Sequence, residues 1–328
     1  MTRREHLKRL GFGAAGLAGL SWASGGARAA GQPFLKIAMG EYSLNHTLRA
    51  GKYNPLHLAQ MTRKVFGLDA IDYVSTFWAE KAKDPAFVGQ LKSRAEEYGV
   101  LNHVILVDMR NLELGDLDES RRKQAVEAHR RWIDIAEFLG CSSIRVNLNR
   151  IGAEDYGKPG HKEAVFKASV DGYRRLLAYG AQKNIGITVQ NHIGYSCDPD
   201  WLVAVMKAVN SKYAGIQADP DHFEEHFYVK KSDEGYEARK GASFDKYKGL
   251  AKLMPYTKAL NAKTHAFDRE GNETTLDYDR ILRIVLKSGY RGYIGIEWEP
   301  EGPGLEMSDV QGIQATKDML VKKMAELA

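Results

Sequence analysis

Along most of its length the chain repeats one pattern: a short apolar, β-branched run, a polar loop, then a longer stretch with apolar residues at helical spacing. Eight runs read as strands: Leu35–Gly40, Ala70–Val74, His103–Val107, Ser143–Leu148, Gly186–Gln190, Ala214–Ala218, Lys258–Lys263 and Gly292–Glu297. The helical stretches between them are Leu56–Phe66, Pro85–Tyr98, Glu119–Leu139, His161–Lys183, Pro199–Val209, Phe244–Met254 and Asp277–Ser288, with a last one near Ser308–Glu326. Strand-helix alternation repeated eight times predicts an α/β fold, a (β/α)8 TIM barrel. An open doubly wound sheet is the alternative, but the first strand ends in Met39-Gly40-Glu41-Tyr42-Ser43 rather than in a G-x-G-x-x-G turn.

A barrel places its chemistry where the strands end. Those ends carry Glu41, then Asp72 followed by Phe77-Trp78, Asp108, and Asn147 with Asn149. The last four carry Gln190-Asn191-His192, Asp219-Pro220-Asp221-His222, Lys263-Thr264-His265 and Glu297-Trp298-Glu299, so metal-competent side chains crowd one half of the predicted mouth. Gln190, Asp219, His265 and Glu297 are the candidate ligands of one divalent ion. Carboxylate, amide and imidazole together suit Mn, Co, Mg or Zn without choosing among them. Asn261, Lys263 and His265 alternate onto one strand face, so each is a candidate to point at the axis. Asn147 and Asn149 are candidates to bond sugar hydroxyls, and Trp78 with Phe77 to stack on a sugar face. The charged stretch Glu224–Lys240 reads as a solvated loop, with a lid or subunit contact as the alternative. His46, His57, His103, His129, His161 and His226 read as surface or satisfied histidines.

Composition changes this picture at one place, the N-terminus. The chain has 328 residues, 44% hydrophobic and 27% charged, an ordinary globular balance that excludes disordered and collagenous classes. Five of its 47 basic residues but one of its 42 acidic ones fall within the first 29, so the formal charge of +5 leaves only +1 beyond them. That removes the argument for a nucleic-acid partner. Residues 1–29 read as an export signal: a basic start, an apolar run from Leu10 to Ala23 too short for a stable membrane span, and Ala27-Arg28-Ala29 as cleavage site. Thr2-Arg3-Arg4-Glu5-His6-Leu7-Lys8 resembles the twin-arginine (Tat) pattern apart from His6, against an ordinary Sec signal or a retained anchor. The expectation is a folded domain, 30–328, exported by the Tat machinery to the periplasm or beyond. Cys141 and Cys197 leave a disulfide open.

The segments Ile187-Thr-Val-Gln-Asn-His-Ile-Gly194, Gly215-Ile-Gln-Ala-Asp-Pro-Asp-His-Phe223, Ala262-Lys-Thr-His-Ala-Phe-Asp268 with Gly271-Asn-Glu273, and Gly289-Tyr-Arg-Gly-Tyr-Ile-Gly-Ile-Glu-Trp-Glu299 resemble the xylose isomerase-like TIM-barrel family, the sugar phosphate isomerases/epimerases. The resemblance implies a divalent metal held by Glu, Asp, His and Glu from strands five to eight, and barrels that often pair as homodimers. Asp219 and Glu297 match. Gln190 stands where relatives commonly have Glu, and Asn261 where they have the ligand His, leaving His265 as substitute ligand. Gln190 takes no proton, so a two-base epimerase is replaced by a one-base scheme. In it Glu297 or Glu299 moves a proton next to a carbonyl, and Lys263, His192 or His222 donates to the developing oxyanion. The same scheme serves isomerisation, epimerisation, or elimination and hydration of a keto sugar. Export favours an unphosphorylated carbohydrate substrate. A non-catalytic sugar-binding barrel is the competing reading; a DNA-repair endonuclease is disfavoured by the charge and by too few strand-end histidines for a trinuclear zinc site.

Overall fold

A computed structural model describes residues 33–327, except 110, 150–154, 233–234 and 301–306; the predicted leader therefore lies outside the described residues. Eight parallel strands close into a barrel: β1 (Lys36–Gly40), β2 (Ala70–Val74), β3 (Leu101–Leu106), β4 (Ser143–Val146), β5 (Gly186–Gln190), β6 (Ala214–Ala218), β9 (Thr257–Thr264) and β10 (Tyr293–Trp298). Their order around the barrel is β1-β10-β9-β6-β5-β4-β3-β2. The (β/α)8 expectation holds. Short helices α1 (Asn45–Arg49), α2 (Leu58–Lys64) and α3 (Ser75–Trp78) serve the first strands, and α4 (Pro85–Tyr98), α5 (Glu119–Leu139), α6 (His161–Gln182), α7 (Pro199–Val209), α8 (Lys246–Leu253), α9 (Tyr278–Ser288) and α10 (Asp309–Glu326) complete the outer layer.

Helix boundaries follow from capping chemistry. Asp84 and Asp198 each precede a proline that needs no amide partner and accept the next free backbone N–H groups of α4 and α7. Asp118 caps α5, which ends at Gly140 in the left-handed conformation that glycine adopts without a Cβ clash. Ser308 and Gln311 form a reciprocal capping box on α10.

One sequence expectation is corrected. Glu224–Lys240 is not a loop: β7 (Glu224–Ser232) and β8 (Gly235–Ser243) form an antiparallel hairpin inserted between β6 and α8. Phe227 anchors it, buried with its ring 4.1 Å from Tyr156 and 5.1 Å from Tyr195. Cys141 and Cys197 are both free and buried, which closes the question of a disulfide.

The lining of the barrel is uneven. Val74, Val104 and Leu106 form a separate apolar cluster against Tyr42 and Phe77 on the β2–β3 side. The opposite wall buries Arg145, Thr188, Gln190, Gln217, Asp219, Asn261, Lys263 and Glu297. Strand parity explains the polar wall: Gln217 and Asp219, Asn261 and Lys263 lie two apart, so each pair shares the inward face while Ala218, Leu260 and Ala262 meet the helices. Trp298 is held on the outer face by Gly312 of α10, where a Cβ would come 2.1 Å from the indole, and this turns Glu297 inward.

Candidate active site

Four strand ends converge on Asp219 and Glu297. Asp219, fully buried, accepts from Gln190 Nε2 at 2.9 Å and from Asn261 Nδ2 at 3.1 Å on Oδ2, and from the Asp221 amide at 2.9 Å on Oδ1. The same Asn261 nitrogen donates to Glu297 Oε2 at 2.6 Å, so one amide ties the two carboxylates together. Its carbonyl is held by Gln217 Nε2 at 2.6 Å. Glu297 Oε1 accepts from Lys263 Nζ at 2.7 Å, and that ammonium also donates to Glu299 Oε2 at 2.7 Å.

Burial sets the protonation order of this cluster. It pushes the Glu297 carboxyl above its ordinary range, helped by the charges of Asp219 and Glu299 and opposed by Lys263. Asp219 and Glu299 fall below theirs despite burial, Asp219 through His222 and Lys263, Glu299 through Lys263. Burial acts against the Lys263 ammonium too, but the three carboxylates hold its pKa well above normal. Glu297 is thus the acid that takes up a proton most readily among neighbours that stay charged, the separation expected of an acid/base residue.

The remaining residues predicted for the site divide into three groups. His192, His222 and Glu299 are half-buried around this cluster. The imidazoles of His192 and His222 meet edge to face at 4.7 Å, and His222 Nε2 lies 3.7 Å from Asp219 Oδ2. Asn147 joins them: its Nδ2 donates to Asp108 at 2.8 Å, which leaves its carbonyl to accept from His192 Nδ1 at 3.2 Å and selects that tautomer. Asn149 is buried beneath Gly194, whose Cβ would meet it at 2.8 Å.

Trp78 and His265 are placed elsewhere. Trp78 is 2% exposed, its ring 5.2 Å from Trp132 and its Nε1 donating to Glu41, so it packs in the core instead of offering a face to a sugar. Half-buried Phe77 lies between Tyr42, tilted at 6.0 Å, and Tyr53, edge to face at 5.9 Å, and is less enclosed than Trp78. His265 turns Nδ1 to the Glu299 carbonyl at 2.6 Å and Nε2 to Asp221 Oδ2 at 3.0 Å, so both ring nitrogens are engaged away from Asp219 and Glu297.

Tyr42 and Arg145 escaped the sequence reading, and Asn191 entered it only as part of a strand end. Tyr42 sits with its ring 5.9 Å from the Lys263 ammonium, its hydroxyl pushed up to about 12 by burial and by Glu299. Arg145 donates to Asp108 at 2.6 Å and anchors the chain that ends at His192. Asn191 donates to the carbonyls of Asp219 and His222 and accepts from the Asp219 amide, fixing the loop after β6. Strand parity pointed to Arg145, two residues before Asn147; nothing in the sequence pointed to Tyr42.

The divalent metal implied by the resemblance does not fit these residues as they stand. Among the described residues no group of three or more His, Cys, Asp or Glu side chains is arranged to hold one. Both Glu297 oxygens and both Asp219 oxygens already accept from amides or an ammonium. The side-chain atoms left without hydrogen-bond partners here include the amide oxygens Gln190 Oε1 and Gln217 Oε1 and the ring nitrogen His222 Nε2, and none of them brings the negative charge that would help replace a cation's water. What the arrangement can do is move a proton at Glu297 beside a fixed positive charge at Lys263.

A model of the xylose isomerase-like TIM barrel family matches residues 64–322, and the chain belongs to that family. Among solved structures it is similar to an L-ribulose 3-epimerase, at 12% identity and TM-score 0.65 over 89% of this chain and 96% of that one. It is also similar to a 3-keto-D-glucoside 4-epimerase from E. coli, at 14% and 0.59 over 87% and 98%. A Mycobacterium smegmatis barrel of this kind, in complex with magnesium, matches at 16% and 0.59 over 89% and 97%. At such identities the likeness is one of fold. A curated relative, the C-glycoside deglycosidase alpha subunit of Arthrobacter globiformis, is 45% identical over 47 residues, only 14% of this chain and 13% of that protein.

Proposed function

We propose that this chain is a carbohydrate-active enzyme of the isomerase/epimerase kind, moving a proton next to the carbonyl of an unphosphorylated sugar or keto sugar. The observation that carries the reading is Glu297, a buried carboxyl of raised pKa held between an amide and an ammonium at the end of β10. Glu297 takes the proton, and His192, its tautomer set through Asn147, Asp108 and Arg145, faces the same mouth to hydrogen-bond a hydroxyl or carbonyl. His222 and Glu299 complete the polar rim, and Phe77 with Tyr42 supplies the apolar side against which a pyranose face packs.

The family and its epimerase-named neighbours support the class. The short match to a deglycosidase subunit favours a second reading on the same site: β-elimination from a keto-glycoside, with Glu297 as base and His192 assisting the leaving oxygen. Both readings include export through the Tat-like leader and pairing of barrels as homodimers. Incubating the purified chain with unphosphorylated ketoses, 3-keto sugars and 3-keto glycosides in deuterated water tests them. Solvent deuterium at the carbon next to the carbonyl, absent with Glu297→Gln, is expected; recovery of aglycone selects elimination. No exchange with any of these substrates breaks the proposal in favour of a binding protein. Fractionation of cells expressing the chain with Arg3→Lys and Arg4→Lys tests export, the expected result being retention in the cytoplasm.

A further inference from the structure

We propose that this centre works without a divalent cation, and that Asn261, Gln190 and Lys263 are the residues that replace it. The inference rests on the proton-transfer reading above and deepens it by naming what carries the positive charge. A cation bridging Asp219 and Glu297 needs the space in which Asn261 Nδ2 lies, 3.1 Å from one and 2.6 Å from the other. Turning that amide to offer its oxygen breaks the 2.6 Å bond from Gln217 and sets a carbonyl against two carboxylates. Gln190 adds a second N–H to the same Asp219 oxygen. Each of these donors satisfies a buried lone pair that would otherwise stand desolvated and unpaired, and that would be the metal's point of attachment.

Lys263 then supplies the charge. Its ammonium is 1% exposed and lies 2.7 Å from both Glu297 and Glu299, so two of its three N–H groups are spent on carboxylates and the third remains. When Glu297 removes the proton from carbon, the C–H electron pair moves into the carbonyl and the charge collects on its oxygen. Lys263 donates to that enediolate oxygen, Glu297 carries the proton, and return of the proton to carbon restores the carbonyl. No oxidant, reductant or third component enters the balance. A fixed ammonium in a buried site does the electrostatic part of a Lewis acid's work without being bound and lost.

The test uses the purified full chain, treated with EDTA and dialysed, then measured by elemental analysis and by thermal melts with and without millimolar Mn, Co, Mg or Zn. The expected result is metal far below one ion per chain and a melting temperature that none of the ions moves. Near-stoichiometric metal that is lost in Asp219→Asn with Glu297→Gln overturns the proposal. The double variant Gln190→Glu with Asn261→His, which removes both amides and adds charge, is expected to take up about one ion per chain and melt several degrees higher with metal than without. No uptake by that variant overturns the assignment of these two residues; if it fails to fold, Gln190→Glu alone and the native chain's result decide. Sugar turnover abolished by EDTA breaks this inference and leaves the proposed function standing. A chain that stays free of metal and exchanges no sugar proton overturns the proposed function, and with it the role given to Lys263, and leaves only the exclusion of a cation by Asn261 and Gln190 standing.

Discussion

The two walls of the barrel are built from the same strand geometry and do opposite things. On the β2–β3 side Val74, Val104 and Leu106 pack against Phe77 and Tyr42, and one buried pair, Asp72 with His103 at 2.6 Å, is the polar contact beside them. On the β5–β10 side Gln190, Gln217, Asp219, Asn261, Lys263 and Glu297 are buried just as deeply, and each is tied into a hydrogen-bond network. An apolar wall tolerates substitution of similar volume, whereas a buried polar network loses the desolvation cost of every group left unpaired. The difference shows where the molecule has invested stability in chemistry: the polar wall is the expensive one, and it is the one that faces the mouth.

The sharpest way to break the comparison is to change one residue on each wall. Glu297→Gln is expected to lower kcat about 10²–10⁴-fold with the fold retained, whereas Leu106→Ala is expected to cost about 2–5 kcal/mol of stability and leave the pH profile of kcat in place. Kinetics and urea unfolding on both variants decide it; equal losses of kcat would mean that the walls do not divide the labour. Lys263→Met leaves Glu297 and Glu299 facing one another without their ammonium, with an expected stability loss of about 3–5 kcal/mol in the same unfolding assay.

The next effect lies between the two walls. Burial raises the Glu41 carboxyl from 4.5 to about 7, against donation from Tyr53, the Val74 amide and Trp78. Because the folded pKa lies above the unfolded one, the stabilisation is complete below the unfolded pKa and is lost as pH rises through the folded value. By linkage this is worth about 3 kcal/mol. Glu41→Gln should therefore narrow the gap in melting temperature between about pH 4 and about pH 8, and an unchanged gap would place the pH dependence elsewhere. The smallest change is at Asn147. Asn147→Ala frees the His192 tautomer and should cost about 1 kcal/mol in kcat/KM, visible as a shifted His192 resonance by NMR titration; an unmoved resonance would show that Asn147 does not set that ring.

Legibility from sequence followed the physical range of each signal. All eight barrel strands were predictable because a buried parallel strand is a local apolar run, and the helix ends because capping depends on neighbours in the chain. The hairpin at Glu224–Ser243 was hidden: its charged, weakly alternating sequence carries little apolar signal, and two of its anchors, Phe227 against Tyr156 and Tyr195 and Glu225 accepting from Tyr156 and Lys162, form only in three dimensions. Trp78 was misplaced because residue type says nothing about which side of a helical turn meets the core.

By itself the sequence determined the family, the barrel and the strand ends from which the site is drawn, since periodicity and motif spacing are one-dimensional properties. It also contained the two departures, Gln190 and Asn261, as a change of charge. Only the tertiary structure decided what they do. Which oxygen Asn261 donates to, which carboxylates share Lys263, and where the nitrogens of His265 turn are set by contacts between residues as far apart as 44 positions in the chain. Hydrogen-bond partners within about 3 Å are a property of packing, and packing is decided only when the barrel closes.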